Sequence, residues 1–135
     1  MANLPTVGGS SGTWGTELNA WLLVAHNDDG TLKDISQNSR TASYTLVLAD
    51  SGKVIEMNVA GANALTVPPN SSVAFPIGTL IAVDQMGAGQ TTITPGAGVT
   101  IRSSGSLVKM KGQYSSVSLR KRAADEWILV GDLVA

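Results

Sequence analysis

The residues most suggestive of chemistry stand near the N-terminus. Gly8-Gly9-Ser10-Ser11-Gly12 matches the G-x-S-x-G pattern of a nucleophile elbow, in which a strand-to-helix turn lifts a serine above a catalytic sheet. That geometry needs a sheet strand in front of the serine, and only seven residues precede the motif. The single histidine, His26, falls on the very next predicted helix, so the run reads as a flexible linker and not as a hydrolase site. At the end of that helix His26 can pair with free carbonyls and the helix dipole. One histidine cannot make a histidine cluster for a metal. Asn27-Asp28-Asp29-Gly30 has the look of a calcium loop. Setting Gly30 at the sixth position of an EF-hand, however, puts Ala25 at position one and Ser36 at position twelve, where carboxylates are required. The run reads as a helix stop.

The remaining candidates have plain readings. Gly87-Ala88-Gly89 and Gly96-Ala97-Gly98 lack the third glycine of a dinucleotide motif and join strand to strand, so they are turns. Arg120-Lys121-Arg122 lies on a strand whose alternate residues are apolar and reads as a solvated edge that discourages edge-to-edge pairing. Asn70-Ser71-Ser72 is a glycosylation sequon that carries little weight without a secretory leader. The ten acidic residues show no spacing that nominates a catalytic carboxylate pair. The expectation is a protein that is not an enzyme and needs no cofactor or metal.

Composition narrows the class. The 135 residues suit one domain with a short appendage. Apolar residues make up 43% and charged residues only 14%. With positive mean hydropathy, this suggests that another chain covers part of the surface. Aromatics are scarce at 4%, so the core must be aliphatic, and fifteen glycines favour many tight turns. A net charge of −1 gives no reason to expect nucleic acid or an anionic membrane. With no cysteine, disulfides, thiolate nucleophiles and Cys-ligated zinc are excluded. The start Met1-Ala-Asn-Leu-Pro-Thr-Val-Gly-Gly9 has no basic or apolar run, so no secretory signal is expected. No stretch approaches the ~20 apolar residues of a membrane span. Manufacture in a cytoplasm is the expectation.

The elements that would position any site fall into two parts. Residues 1–12 read as an extended arm. Thr13–His26 is the one convincing helix, with Trp14, Leu18, Trp21, Leu22 and Ala25 on a single apolar stripe, Thr13 as N-cap and Glu17 in the early turns. Too short to stand alone in water, it must dock on something. Thr31–Ser43 is a polar linker with room for a brief strand, so the predicted division is residues 1–43 and 44–135. From Tyr44 onward eight or nine short strands follow at sandwich or barrel spacing. Tyr44–Ala49 and Lys53–Val59 read as a hairpin about Asp50-Ser51-Gly52. Thr79–Ile101 reads as three strands joined by glycine turns. Sequential hairpins predict a mostly antiparallel sheet. The fold class is therefore mostly β: an antiparallel sandwich or barrel-like domain behind an arm and one short helix. Leu80-Ile-Ala-Val83 and Trp127-Ile-Leu-Val130 are apolar on both faces, more than a thin domain can bury alone.

Two stretches taken together resemble a known family. Gly8-Gly-Ser-Ser-Gly-Thr-Trp14-Gly-Thr-Glu-Leu18-Asn19, followed by His26-Asn-Asp-Asp-Gly30-Thr-Leu-Lys33, is similar to the N-terminal segment of many tailed-bacteriophage virion proteins. The second runs from Leu46-Val-Leu-Ala-Asp50-Ser-Gly-Lys53 through Leu65-Thr-Val-Pro-Pro-Asn70 and Gly87-Ala-Gly-Gln-Thr-Thr-Ile93 to Leu119-Arg-Lys-Arg122 and Trp127-Ile-Leu-Val-Gly-Asp132. It resembles a small β-domain of phage tail fibres, head fibres and capsid decoration proteins. The resemblance spans nearly the whole chain apart from Asp34–Ser43. It implies a non-enzymatic virion protein, a homotrimer among other phage virion proteins, made in a bacterial cytoplasm, with no catalytic residues to carry over. Trp14, Leu18, Trp21 and Leu22 then become the residues expected to serve attachment or trimer packing, since tryptophans are favoured anchors. A host-glycan adhesion module is the alternative, although the β-domain offers only Tyr44, Phe75, Tyr114 and Trp127 as sugar-stacking aromatics.

Overall fold

The computed structural model describes residues 14–135, apart from the side chains of Trp14, Glu17 and Trp21. These residues fall into two compact units, the first ending at Asp34 and the second spanning Ile35–Ala135. In the first, helix α1 covers Trp14–Leu22, ending four residues before the expected His26. A competing hairpin ends it. The His26 and Ala25 amides both fold back onto the Leu22 carbonyl, at 3.0 and 3.1 Å. His26 then pairs antiparallel with Leu32. Asn27 N donates to Thr31 O at 2.8 Å, and Asn27 Nδ2 donates to Thr31 Oγ1 at 3.0 Å. Gly30, with φ of 82°, supplies the left-handed residue of the reversal. The predicted N-cap Thr13 and the arm lie outside the described residues.

The second unit is mostly β, as expected, and is built from two sheets. Its strands are β1 (Gln37–Arg40), β2 (Tyr44–Thr45), β3 (Val54–Met57), β4 (Asn63–Val67), β5 (Leu80–Gln85), β6 (Thr91–Pro95), β7 (Thr100–Arg102), β8 (Lys109–Met110), β9 (Ser116–Ala123), β10 (Glu126–Gly131) and β11 (Leu133–Val134). One sheet has the order β1-β3-β5-β9-β10-β7 and the other β11-β8-β6-β4-β2. From β1 to β9 the chain therefore changes sheet at every connection. Strands two apart in sequence become neighbours: β1, β3 and β5 pair in parallel, as do β2, β4 and β6. The first six strands are turns of a flattened parallel coil. Antiparallel pairing enters afterwards, through β9 against β5 and β10 and β8 against β6 and β11.

The expectation of a mostly antiparallel sheet is corrected by this alternation. A short glycine-rich connection between two apolar runs can be a hairpin or a corner to the opposite sheet, and periodicity does not separate the two. Asp50-Ser51-Gly52 is such a corner: Tyr44–Thr45 pairs with β4 in one sheet, while Val54–Met57 pairs with β1 and β5 in the other. Between them Leu48–Asp50 forms one 3-10 turn. The unit also begins before Tyr44, because β1 adds to β3 by four in-register residues.

Stacked corners explain the Gly87-Ala88-Gly89 run. The corner after β5 lies directly on the corner after β3. Met86 N and Gly87 N donate to Met57 O at 2.9 and 3.0 Å, and Gly89 N donates to Val59 O at 2.9 Å. A Cβ on Gly89 would overlap the Gly61 backbone, and one on Gly87 would overlap Val59. Gly89→Ala should destabilise the protein by about 1–3 kcal/mol through this overpacking, read from the midpoint of denaturant unfolding. Gly52, with open space around the position of its Cβ but a φ of 74°, should lose less when replaced by Asn, which tolerates that conformation.

The core lies between the sheets. Ile81, Leu119 and Leu129 form one row across β5, β9 and β10, and Leu65 and Ile93 stack across β4 and β6. All five are at most 1% exposed. Phe75, from the loop after β4, meets Trp127 edge-on, with ring centroids 5.4 Å apart and an 87° interplanar angle. Such T-shaped contacts favour the positive ring edge against the negative face.

Candidate attachment and assembly surfaces

Of the four residues the sequence singles out, all lie on α1. Leu18 is half-buried and Leu22 exposed; the side chains of Trp14 and Trp21 are outside the described residues. Leu23, Val24 and Leu32 of the same unit are also exposed, Val24 and Leu32 by 63% and 71%. His26 is placed as its position at the helix end suggests, with Nδ1 3.2 Å from Leu22 O. A carbonyl can only accept, so Nδ1 carries the proton in this contact. The look-alike calcium loop spends its polar atoms internally. Asp29 Oδ1 accepts from Thr31 Oγ1 at 2.7 Å and Thr31 N at 3.0 Å. The hydroxyl bond first, then the backbone bond, lowers the Asp29 pKa. Among the described residues no group of three His, Asp or Glu could hold a metal ion.

The β unit buries three polar clusters. At the first corner Asp50, 1% exposed, accepts from Asn38 Nδ2 at 2.7 Å, Tyr44 Oη at 2.9 Å and Val47 N at 2.9 Å. The Arg40 guanidinium lies 3.9 Å over the Tyr44 ring. Asp50 thus ties β1, β2 and the 3-10 turn together, with both its oxygens engaged. Burial, then the hydrogen bond and charge of Asp50, raise the Tyr44 pKa above 10.0. A phenol with a raised folded pKa stabilises the fold below the unfolded value and loses that contribution as pH rises through the folded one. Thermal melts above pH ~10 should therefore fall more steeply for the wild type than for Tyr44→Phe. Parallel slopes would contradict this.

At the stacked corners Gln85, Thr91 and Asn63 form a second cluster. Gln85 Oε1 accepts from Thr91 N at 3.1 Å, Gln85 Nε2 donates to Gly87 O at 3.3 Å, and Thr91 Oγ1 donates to Asn63 Oδ1 at 2.8 Å. Asn63 Nδ2 reaches the carbonyls of Gly61 and Gly89. These side chains supply the hydrogen bonds that corner backbone cannot make within a ladder.

The third cluster overturns the solvated-edge reading of Arg120-Lys121-Arg122. β9 lies between β5 and β10, and Lys121 is 1% exposed while Arg120 and Arg122 face out. Lys121 Nζ donates to Asn70 Oδ1 at 2.6 Å and to Phe75 O at 2.7 Å. Asn70 N in turn donates to Asp125 Oδ1 at 2.7 Å. The ammonium fastens the 68–79 connection over the core. The parity was legible, since Lys121 continues the inward series Val117, Leu119; only its charge argues for the surface.

In all three clusters the hydrogen bonds run between groups of the chain itself and join neighbouring strands or loops, an arrangement that fixes backbone. What faces solvent on the six-stranded sheet is a different pattern. Leu80 and Val130 are 53% and 62% exposed, among arginines at one end of the strands and carboxylates at the other. No family model, curated protein or solved structure matches the chain.

Proposed function

We propose that the chain is a structural protein of a bacteriophage virion, a homotrimeric fibre or decoration protein joined to the particle through its N-terminal unit. The observation that carries this reading is the pairing of unlike units. One is a short helix and hairpin that leaves Leu22, Leu23, Val24 and Leu32 at its surface. The other is a two-sheet β coil whose buried polar groups bind its own backbone and side chains. A helix of nine residues gains its stability by docking, and a corner-stacked coil is suited to rigid display. The resemblance of both stretches to phage virion proteins supports the same assignment. Trp14, Leu18, Trp21 and Leu22 are the proposed anchors, with other virion proteins as partners.

The test is binding of the purified chain to particles that lack it. Trp14→Ala with Trp21→Ala should abolish incorporation while the β unit keeps its melting transition. Undiminished incorporation would remove the anchor assignment. A glycan-adhesion role finds support in one residue, Tyr114, an aromatic 73% exposed on a left-handed backbone with φ of 68°. Silence on a glycan array at millimolar sugar would retire it.

A further inference from the structure

The outer face of the six-stranded sheet is ordered by charge along the strand direction. Strand register sets three rows. Arg102, Ile128, Arg120 and Leu80 lie side by side across β7, β10, β9 and β5. One step along, Val130, Ser118, Ala82 and Val54 form the next row across β10, β9, β5 and β3. A further step brings Ser116, Asp84 and Glu56 together. Successive rows are two residues apart, ~7 Å, because alternate residues share a face.

The two ends carry opposite surplus. At the first, Arg102, Arg120 and Arg122 face a single carboxylate, Glu126, which pairs with Arg122 at 2.6 Å and Arg102 at 3.6 Å. Arg120 takes part in no ion pair among the described residues. At the other end Glu56 and Asp84 are register neighbours on parallel strands, and neither has a cationic partner among the described residues. Like charges set side by side on paired strands repel. Between the ends runs the small apolar row of Val130, Ala82 and Val54, interrupted by Ser118, with Val130 exposed; Leu80, also exposed, stands beside Arg120 in the basic row.

We propose that this face is the contact between copies of the chain, with the arginine end of one copy against Glu56 and Asp84 of the next. The inference rests on the trimer reading and names its surface. A face that is basic on one side, acidic on the other and apolar between is complementary to itself head to tail. Such heterologous contacts close into a ring when the rotation allows. In a three-fold ring the Val54–Ala82–Val130 row would line the axis, and each copy's basic row would meet its neighbour's acidic row. The second copy is preferred to an unrelated partner because both halves of the charge match are already on this one face.

Native mass spectrometry of the full chain and three variants, at one low micromolar concentration, tests it. Wild type is expected as a trimer. Glu56→Lys with Asp84→Lys, and separately Arg102→Glu with Arg120→Glu, should each lose the trimer peak, since like-charge contact across an interface is strongly unfavourable. The variant carrying all four changes has both ends reversed and should regain the trimer, which a variant that simply fails to fold could not do. Trimers persisting in both paired variants would overturn this face and leave the trimer reading standing. A wild-type monomer would overturn the trimer reading itself, and this face with it.

Discussion

Trp127→Ala is expected to lower the unfolding free energy by about 3–5 kcal/mol, the range for deleting a buried large aromatic. Trp127 is 1% exposed and stands opposite Lys121 in the β9–β10 pairing. Its loss would remove the Phe75 ring's T-shaped partner and leave a cavity beneath the 68–79 connection. Close packing limits how far neighbours collapse into such a space. The effect should appear as a fall in denaturant midpoint with the slope preserved. Limited proteolysis should then open the 68–79 connection first, because Phe75 is its apolar anchor. A loss under about 1 kcal/mol, the size of an ordinary surface change or less, would contradict the packing described.

Lys121→Met should cost about 2–4 kcal/mol, although it replaces a charge by an apolar chain of similar length. The side chain is buried to the tip, and its ammonium holds Asn70 Oδ1 and Phe75 O. Removing the donor strands Phe75 O in a buried place, at about 1–3 kcal/mol for an unsatisfied buried acceptor, and also leaves the part-buried Asn70 Oδ1 without its donor. Lys121→Arg should not rescue, because a planar fork does not fit two acceptors arranged around one compact ammonium. Denaturant unfolding of both variants measures this. Stability equal to or above wild type for Lys121→Met would show that the ammonium is no fastener. The two changes share the Phe75 loop, so their combination should cost less than the sum of the singles.

The alternation of Ile55 and Met57 against Glu56, and of Val117 and Leu119 against Ser116 and Ser118, is readable because a half-buried strand repeats every two residues. Pro68-Pro69 directly follows the end of β4, as suits a residue that cannot donate to a ladder. Sheet membership was not readable. Parallel neighbours in a coil are separated by a whole turn of chain: Asn38 pairs with Ile55, and Ile55 with Val83. A corner and a hairpin use the same glycines and asparagines. Gly89 illustrates this: its presence signals a turn, but the reason for it is the Gly61 backbone lying against it.

The polar interior was the least legible part. Asp50 and Lys121 are charged residues of types that seldom lie fully inside, and, Val47 N apart, their partners stand far away in sequence or on another strand. Nothing local marks Asn70 as the acceptor for Lys121. The sheet's outer face was half legible, since apolar residues on both faces of β5 and β10 were evident. Its charge order depends on strand register, which aligns Glu56 with Asp84 and Arg120 with Ile128.

Native mass spectrometry of the unmodified full chain at low micromolar concentration tests the central claim most directly. A virion protein that displays this β coil as a trimer gives one dominant species at three times the chain mass. A clean monomer at that concentration would contradict the account, because the exposed apolar row and its flanking charges would then have no second copy to meet.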